Sequence, residues 1–318
     1  MSPDRPKRVL VLFGTRPEII KLAPVIRELR LNGFCVTVVS SNQHKQLLKP
    51  FLGMLDVEVD FDLHVMRENQ GPNDVCFRVI SKLDRLLSSE NPDMILVQGD
   101  TTTTLAGALA GFNRRIPVGH VEAGLRSGNV NSPFPEEMNR RIVSQIATFH
   151  FAATEENRQN LLSEGTPEDR IFVTGNPVVD SLDKISRTVI LSRKIKKIID
   201  ASAGMKRVLL TTHRRESFGV ALKNNLRVLR DFVENHEDTC LMFPVHPNPN
   251  VQKATKEVLE GVPRVYLLKP LGYRDFIGLM KVAWLIVSDS GGIQEEAPSL
   301  GKPLLILREN TERPEAVT

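Results

Sequence analysis

A chain of 318 residues, 25% charged and 41% hydrophobic, has the length for two globular domains and a composition that excludes disorder and fibrous classes. Its net charge of +4 suits an acidic small ligand, and the lack of a long basic run with interleaved aromatics argues against nucleic-acid binding. The cysteines Cys35, Cys76 and Cys240 are odd in number and form no CxxC pair, which argues against a disulfide framework or a zinc ribbon and for buried thiols in a reducing compartment.

The N-terminus has no apolar signal-peptide core, and no apolar run approaches a membrane span of about 20 residues. The cytoplasm is the expected location, with no membrane partner. Arg8–Gly14 reads as a buried parallel strand, followed by a helix over Pro17–Asn32 and a strand at Cys35–Ser40. The alternation resumes with a strand at Met94–Gln98, a helix at Thr102–Asn113 and a strand at Pro117–Val121. A strand at Phe149–Ala153, a helix near Glu156–Glu164 and a strand at Ile171–Val173 complete the first half.

Leu182–Ala203, rich in Lys, Arg, Ser and Ile, reads as a helical connector, with an internal surface helix as the alternative. The second half places strands at Arg207–Thr212, Thr239–Pro244, Val265–Leu268, Trp284–Val287 and Pro303–Ile306. Helices are expected at Ala221–Asn235, Asn250–Leu259, Tyr273–Val282 and Gly292–Ser299. The fold class is therefore α/β, two Rossmann-like domains facing a cleft: residues 1–181, a connector over 182–206, and 207–318. The chain stops after a strand and a loop, so the second domain is expected to lack its last βα units.

Ligands of such sheets bind beyond the carboxyl ends of the strands, so the motifs there carry the chemistry. Gly14-Thr15-Arg16-Pro17-Glu18 opens a helix whose N-terminus favours anions, and Arg16 adds a bidentate donor; a tight turn with a solvated arginine fits equally. In Gly99-Asp100-Thr101, Asp100 is placed for catalysis, although it or Thr101 could cap the next helix. His120-Val121-Glu122-Ala123-Gly124-Leu125-Arg126 sets an imidazole, a carboxylate and a guanidinium at one strand end. Desolvation there would suit Glu122 to proton transfer, whereas a Glu122–Arg126 ion pair would be structural. Glu136 and Arg140 share a helix face. His213-Arg214-Arg215 suggests phosphate binding or a solvated basic loop, and His246 lies in a proline-braced turn. Ser288-Asp289-Ser290-Gly291-Gly292 joins a strand to a helix, leaving backbone N–H groups open to a diphosphate, with Glu296 one turn on for ribose hydroxyls.

Taken together, GTRPE at Gly14–Glu18, QGDTTT at Gln98–Thr103, HVEAGLR at His120–Arg126 and PEEMNR at Pro135–Arg140 resemble the non-hydrolysing UDP-N-acetylglucosamine 2-epimerases. So do GN at Gly175–Asn176, HRRES at His213–Ser217, PVHPNP at Pro244–Pro249, SDSGGIQEE at Ser288–Glu296 and RPEAV at Arg313–Val317. The resemblance implies a GT-B arrangement and interconversion of UDP-N-acetylglucosamine and UDP-N-acetylmannosamine through 2-acetamidoglucal, with no cofactor and no metal. It implies Asp100, Glu122 and Glu136 as the acid/base set. His213 joins them at the catalytic centre and, with Arg16, Ser290, Gly291 and Gly292, fixes the departing UDP. Lys21, Arg140 and Arg313 fall in the substrate-binding set, Glu296 on the ribose and Phe276 on the uracil. Gln43, Gln46, Arg214 and His246 fit the pattern of a second, activating UDP-N-acetylglucosamine, although Asn69 stands where a basic residue often precedes Gln70. A homodimer is the family expectation. A hydrolysing epimerase, a GT-B glycosyltransferase and an inactive UDP-sugar-binding paralogue are the alternatives.

Overall fold

A computed structural model describes residues 5–42, 51–67, 70–188, 190–212 and 219–307. The chain divides into two compact units, Met1–Ser181 and Leu182–Thr318. The first is built on strands β1 (Arg8–Phe13), β2 (Cys35–Ser40), β3 (Phe61–Asp62), β4 (Met94–Gln98), β5 (Val118–Ala123), β6 (Phe149–Ala152) and β7 (Ile171–Val173). They form one parallel sheet in the order β3-β2-β1-β4-β5-β6-β7. Among its helices are α1 (Arg16–Leu31), α2 (Pro72–Glu90), α3 (Thr102–Asn113), α4 (Glu136–Ile146), α5 (Glu155–Ser163) and the start of α6 (Val178–Thr188).

Central strands of a parallel sheet covered on both faces must be apolar throughout, and β1 is: Val9 through Phe13 are all buried. Between β2 and β4, where the sequence reading sets no element, α2 turns Val75, Val79, Leu83 and Leu87 inward. That spacing of four is the apolar stripe of an amphipathic helix. α3 carries Ala106, Gly107, Ala108, Ala110 and Gly111, and so lies close on the sheet. A Cβ on Gly107 would stand 2.5 Å from Leu12 Cδ2 and 3.0 Å from Val97 Cγ1, so any larger residue there would force the buried side chains of the sheet to shift.

The second unit holds α7 (Arg193–Ala201), β8 (Lys206–Thr211), α8 (Val220–Asn235), β9 (Thr239–Pro244), α9 (Pro249–Leu259) and β10 (Val265–Leu268). α10 (Tyr273–Val282), β11 (Leu285–Ser288), α11 (Gly291–Ser299) and β12 (Leu304–Ile306) follow. Its sheet is parallel, in the order β10-β9-β8-β11-β12. The residues 182–206 are mainly the rest of α6 and α7, whose Ile195 is buried. Among the described residues no helix is long and apolar enough to cross a membrane.

Both sheets reverse their strand order once, between β1 and β4 and between β8 and β11. Such switch points open a crevice at the carboxyl ends of the strands. The loops flanking them are Gly14–Thr15 and Gly99–Thr101 in the first unit, and Thr212 and Asp289–Ser290 in the second. These are the loops that carry most of the motifs.

Candidate functional site

The loop from β1 to α1 is fixed by Glu18. Its Oε2 accepts from the backbone N–H of Gly14 at 3.1 Å and of Thr15 at 2.6 Å, closing the first turn of α1. Its Oε1 reaches the β4–α3 loop, accepting from Thr101 Oγ1 at 2.9 Å and lying 3.3 Å from Thr104 Oγ1. Burial raises the Glu18 carboxyl above its ordinary value, and these hydrogen bonds oppose the rise. Arg16 is exposed, its guanidinium 5.2 Å from the centroid of the Phe51 ring.

Glu122 lies at the centre of the site. The sequence reading ends the strand at Val121; β5 instead runs to Ala123, with the register to β6 skipping one residue between Val121 and Ala123. Glu122 is the extra residue of that bulge, with φ 64. A left-handed backbone is uncommon outside glycine and costs about 1–3 kcal/mol, so the surroundings must hold it. They do: the buried carboxylate accepts from Lys21 Nζ, from Gln98 Nε2 and, at 3.2 Å, from Asn176 Nδ2. Lys21 comes from α1, Gln98 from the end of β4 and Asn176 from the loop after β7. Gly99 sits at φ 73, a left-handed backbone that favours glycine, and a Cβ there would lie 3.5 Å from Glu122 Oε2.

Asp100 follows at the end of β4. Arg140 donates to its Oδ2 from Nε at 2.9 Å and Nη2 at 2.6 Å, and Asn139 Nδ2 donates to its backbone carbonyl at 2.8 Å. The Arg140 side chain is buried and also donates to Glu137 Oε2 at 3.2 Å. Glu137 is fully buried and receives the Ser127 N–H at 2.9 Å and Arg141 Nε at 3.1 Å. Glu136 is half-buried in the first turn of α4.

His120 does not join the acids. Its Nε2 donates to the Gly99 carbonyl at 2.7 Å, bracing the turn before Asp100. It lies beside His150 on β6, and Nδ1 of each ring is buried with no hydrogen-bond partner among the described residues. Burial, above all, pushes both imidazoles down to about 4, helped for His120 by His150 and Arg126 and for His150 by Arg126 and Arg170. A histidine kept neutral in the native state stabilises fully above its unfolded value of 6.5. That contribution is lost as pH falls from 6.5 toward 4, by roughly 2 kcal/mol per ring at pH 5. Urea unfolding at pH 7.5 and pH 5 should therefore show a loss about 2 kcal/mol smaller for His150→Phe than for the parent chain. Glu18, whose raised carboxyl contributes with the opposite sign, cancels in that comparison.

In the second unit the β11–α11 junction is held by hydroxyls. Thr211 Oγ1 and Ser288 Oγ are 2.6 Å apart, the Ser290 N–H reaches Ser288 Oγ at 3.0 Å, and Thr212 Oγ1 donates to buried Asp289 at 2.8 Å. Ser290 stands at the N-cap position of α11 with no cap hydrogen bond from its side chain, Gly291 and Gly292 begin the first turn, and a Cβ on Gly292 would meet nothing nearer than Ser290 Oγ at 4.0 Å. Glu296 is buried and accepts from Tyr273 Oη at 2.7 Å. Phe276 is half-buried on α10, and His246 Nδ1 accepts the Asn248 N–H at 3.2 Å.

The first unit thus brings Lys21, Asp100, Glu122 and Arg140 to adjacent strand ends, with Glu136 on α4. Two alternatives left open by the sequence are decided. Thr101, not Asp100, caps α3, receiving the Thr104 N–H at 3.2 Å. Arg126 pairs with Glu164, through Nε at 2.7 Å and Nη2 at 2.6 Å, so its guanidinium is committed away from Glu122. Sequence reasoning missed Glu18, Gln98, Asn139 and Glu137 as the residues holding this site, although Glu18 at the third position of a helix after Thr15 is a capping-box signal. His213, Arg313, Gln43, Gln46 and Arg214 lie outside the described residues.

A family model described as UDP-N-acetylglucosamine 2-epimerase matches residues 27–318. The UDP-N-acetylglucosamine 2-epimerase of Escherichia coli K12 is 46% identical, over 98% of this chain and 84% of that protein. The crystal structure of the Neisseria meningitidis enzyme bound to UDP-GlcNAc superposes with a TM-score of 0.88 at 44% identity, covering 98% of this chain and 85% of that one. A Methanocaldococcus jannaschii UDP-GlcNAc 2-epimerase in complex with UDP-GlcNAc and UDP gives a TM-score of 0.80 at 36% identity, over 98% of this chain and 86% of that one.

Proposed function

This chain belongs to the UDP-N-acetylglucosamine 2-epimerase family, and from that premise we propose that it interconverts UDP-N-acetylglucosamine and UDP-N-acetylmannosamine without hydrolysis. A base removes the C2 proton. The C–H electron pair forms the C1–C2 double bond as the C1–O bond breaks, leaving 2-acetamidoglucal and UDP. Re-addition of the UDP oxygen to C1 and of a proton to the other face of C2 completes the exchange.

The observation that carries this reading is Glu122: a buried carboxylate in a left-handed bulge, held by an ammonium and two amides. A C2 proton is weakly acidic, so proton transfer needs a fixed carboxylate, and a misplacement of about 1 Å can cost roughly 100-fold. Asp100, oriented by the fork of Arg140, and Glu136 complete the acid/base set. The first unit supplies these groups, with Lys21 and Arg16 binding substrate. The second supplies the nucleotide-holding groups: the α11 start at Ser290–Gly292 for the diphosphate, Glu296 for the ribose and Phe276 for the uracil. The side-chain-free space beside Gly292 suits a diphosphate. His213 and Arg313 complete the set by resemblance, and His246 with Gln43, Gln46 and Arg214 serves a second, activating nucleotide sugar. The protein acts in the cytoplasm as a homodimer.

Incubation with UDP-N-acetylglucosamine in deuterated water should place deuterium at C2 of the recovered substrate and yield UDP-N-acetylmannosamine. Folded protein that leaves C2 unlabelled overturns the proposal. Free N-acetylmannosamine released in step with UDP would identify the hydrolysing reaction instead.

A further inference from the structure

We infer that Glu18 is a positioning residue for this reaction: it ties the loop bearing Arg16 to the loop bearing Asp100, so that the phosphate-binding and proton-transfer groups share one frame. The inference rests on the reading above.

A capping glutamate needs to satisfy only the backbone of its own helix start. Glu18 does this with Oε2 alone, which takes both the Gly14 and Thr15 N–H groups. Oε1 is left for a different loop, where it accepts from the hydroxyl of Thr101, 83 residues along the chain. The two loops flank the switch point between β1 and β4. Arg16 follows Thr15 directly, and Asp100 precedes Thr101 directly, so each end of the tether is one peptide unit from a site residue. The far end is rigid: Thr101 caps α3, and Thr104 Oγ1 donates to the Gln98 carbonyl at 2.6 Å, behind the amide that holds Glu122. Glu18 is 2% exposed. A carboxylate in that position works against a desolvation cost that the end of an ordinary surface helix does not impose.

The tether needs hydrogen bonds, not charge. A glutamine at this position can accept both backbone N–H groups with its oxygen and donate to Thr101 with its amide, whereas alanine breaks every link. In the full chain, Glu18→Ala should cut the rate of C2 deuterium exchange by about 10–100-fold per folded molecule, the scale of misplacing a catalytic group by an ångström. It should also weaken UDP binding in calorimetry and speed amide hydrogen exchange in both 13–16 and 99–104. Glu18→Gln should stay within about threefold of the parent in all three, with an unchanged pH–rate profile. Thr101→Val spares the Gly14 and Thr15 links, and should slow C2 exchange while leaving UDP affinity unaltered. It keeps the inference testable if Glu18→Ala fails to fold.

A merely structural Glu18 would lower Tm while kcat and KM of the folded molecules stayed at parental values; that result overturns the inference. So does a Glu18→Gln variant as slow as the alanine, which would make Glu18 a proton carrier. If the parent chain itself shows no C2 exchange, the proposed reaction fails, whereas the amide-exchange comparison still decides whether Glu18 couples the loops.

Discussion

Replacing Glu122 with glutamine should lower C2 proton exchange by roughly 10³-fold, within the range that general acid–base groups contribute. The substitution is nearly isosteric. A carboxamide oxygen can still receive Lys21, and the left-handed bulge at φ 64 gains no new steric load. What disappears is the negative charge opposite Lys21 and the ability to take or give a proton at that point. UDP affinity should stay within a fewfold, because no nucleotide-holding group of the second unit is touched. Single-turnover deuterium exchange with calorimetry separates the two effects: parental exchange in Glu122→Gln would remove Glu122 from the acid/base set. Glu122→Ala tests a different property. It also takes away every side-chain acceptor that Glu122 offers to Lys21, Gln98 and Asn176, and breaking a buried pair at one end costs about 3–5 kcal/mol.

Arg140→Met should damage both stability and turnover. Arg140 is buried between Asp100, which it grips through two nitrogens, and Glu137, which is fully buried. Removing the guanidinium leaves two carboxylates under-compensated, one of them out of reach of water, with an expected loss of about 3–5 kcal/mol in urea unfolding. Arg140→Lys retains the charge but not the planar fork. It should recover most of the stability, yet leave C2 exchange reduced by about 10-fold or more, because a point charge does not fix the Asp100 carboxylate in one orientation. A lysine variant with parental exchange would show that orientation of Asp100 is dispensable. Equal stability of Arg140→Met and the parent would show that the buried network carries no folding energy.

The strands were readable because buried parallel strands are apolar runs closed by Gly, Asp or Ser, as in RVLVLFG and MILVQGD. α2 was readable from Val75, Val79, Leu83 and Leu87 at intervals of four, with charged residues between them as an amphipathic helix requires. The positions of Asp100 and Glu122 at strand ends, and of Arg140 one turn into a helix, follow from local pattern. Their partners do not. Lys21 meets Glu122 across 101 residues and Arg126 meets Glu164 across 38, and such pairings are set by sheet order, which no local window contains. The bulge at Glu122 was hidden because glutamate is a poor residue for a left-handed backbone; tertiary hydrogen bonds override that preference. Likewise, adjacent glutamates at 136 and 137 are indistinguishable in sequence, and only the rotation of α4 decides that Glu137 is the one enclosed.

The donors around Glu122 also impose an order of events during synthesis. They enter from Lys21, Gln98 and Asn176, the last only a few residues short of Ser181, where the first unit ends. Domains tend to fold as units from the N-terminus as the chain emerges, at about 5–20 residues per second. Until β7 and the loop after it have left the ribosome, the Glu122 carboxylate lacks a ligand, and its strained backbone lacks part of what holds it. Once they have, Lys21, Gln98 and Asn176 are all present, before the second unit exists. The hydrogen bonds that Lys21, Gln98 and Asn176 give to Glu122 are thus completed late in the synthesis of the first unit, by the donor that leaves the ribosome last.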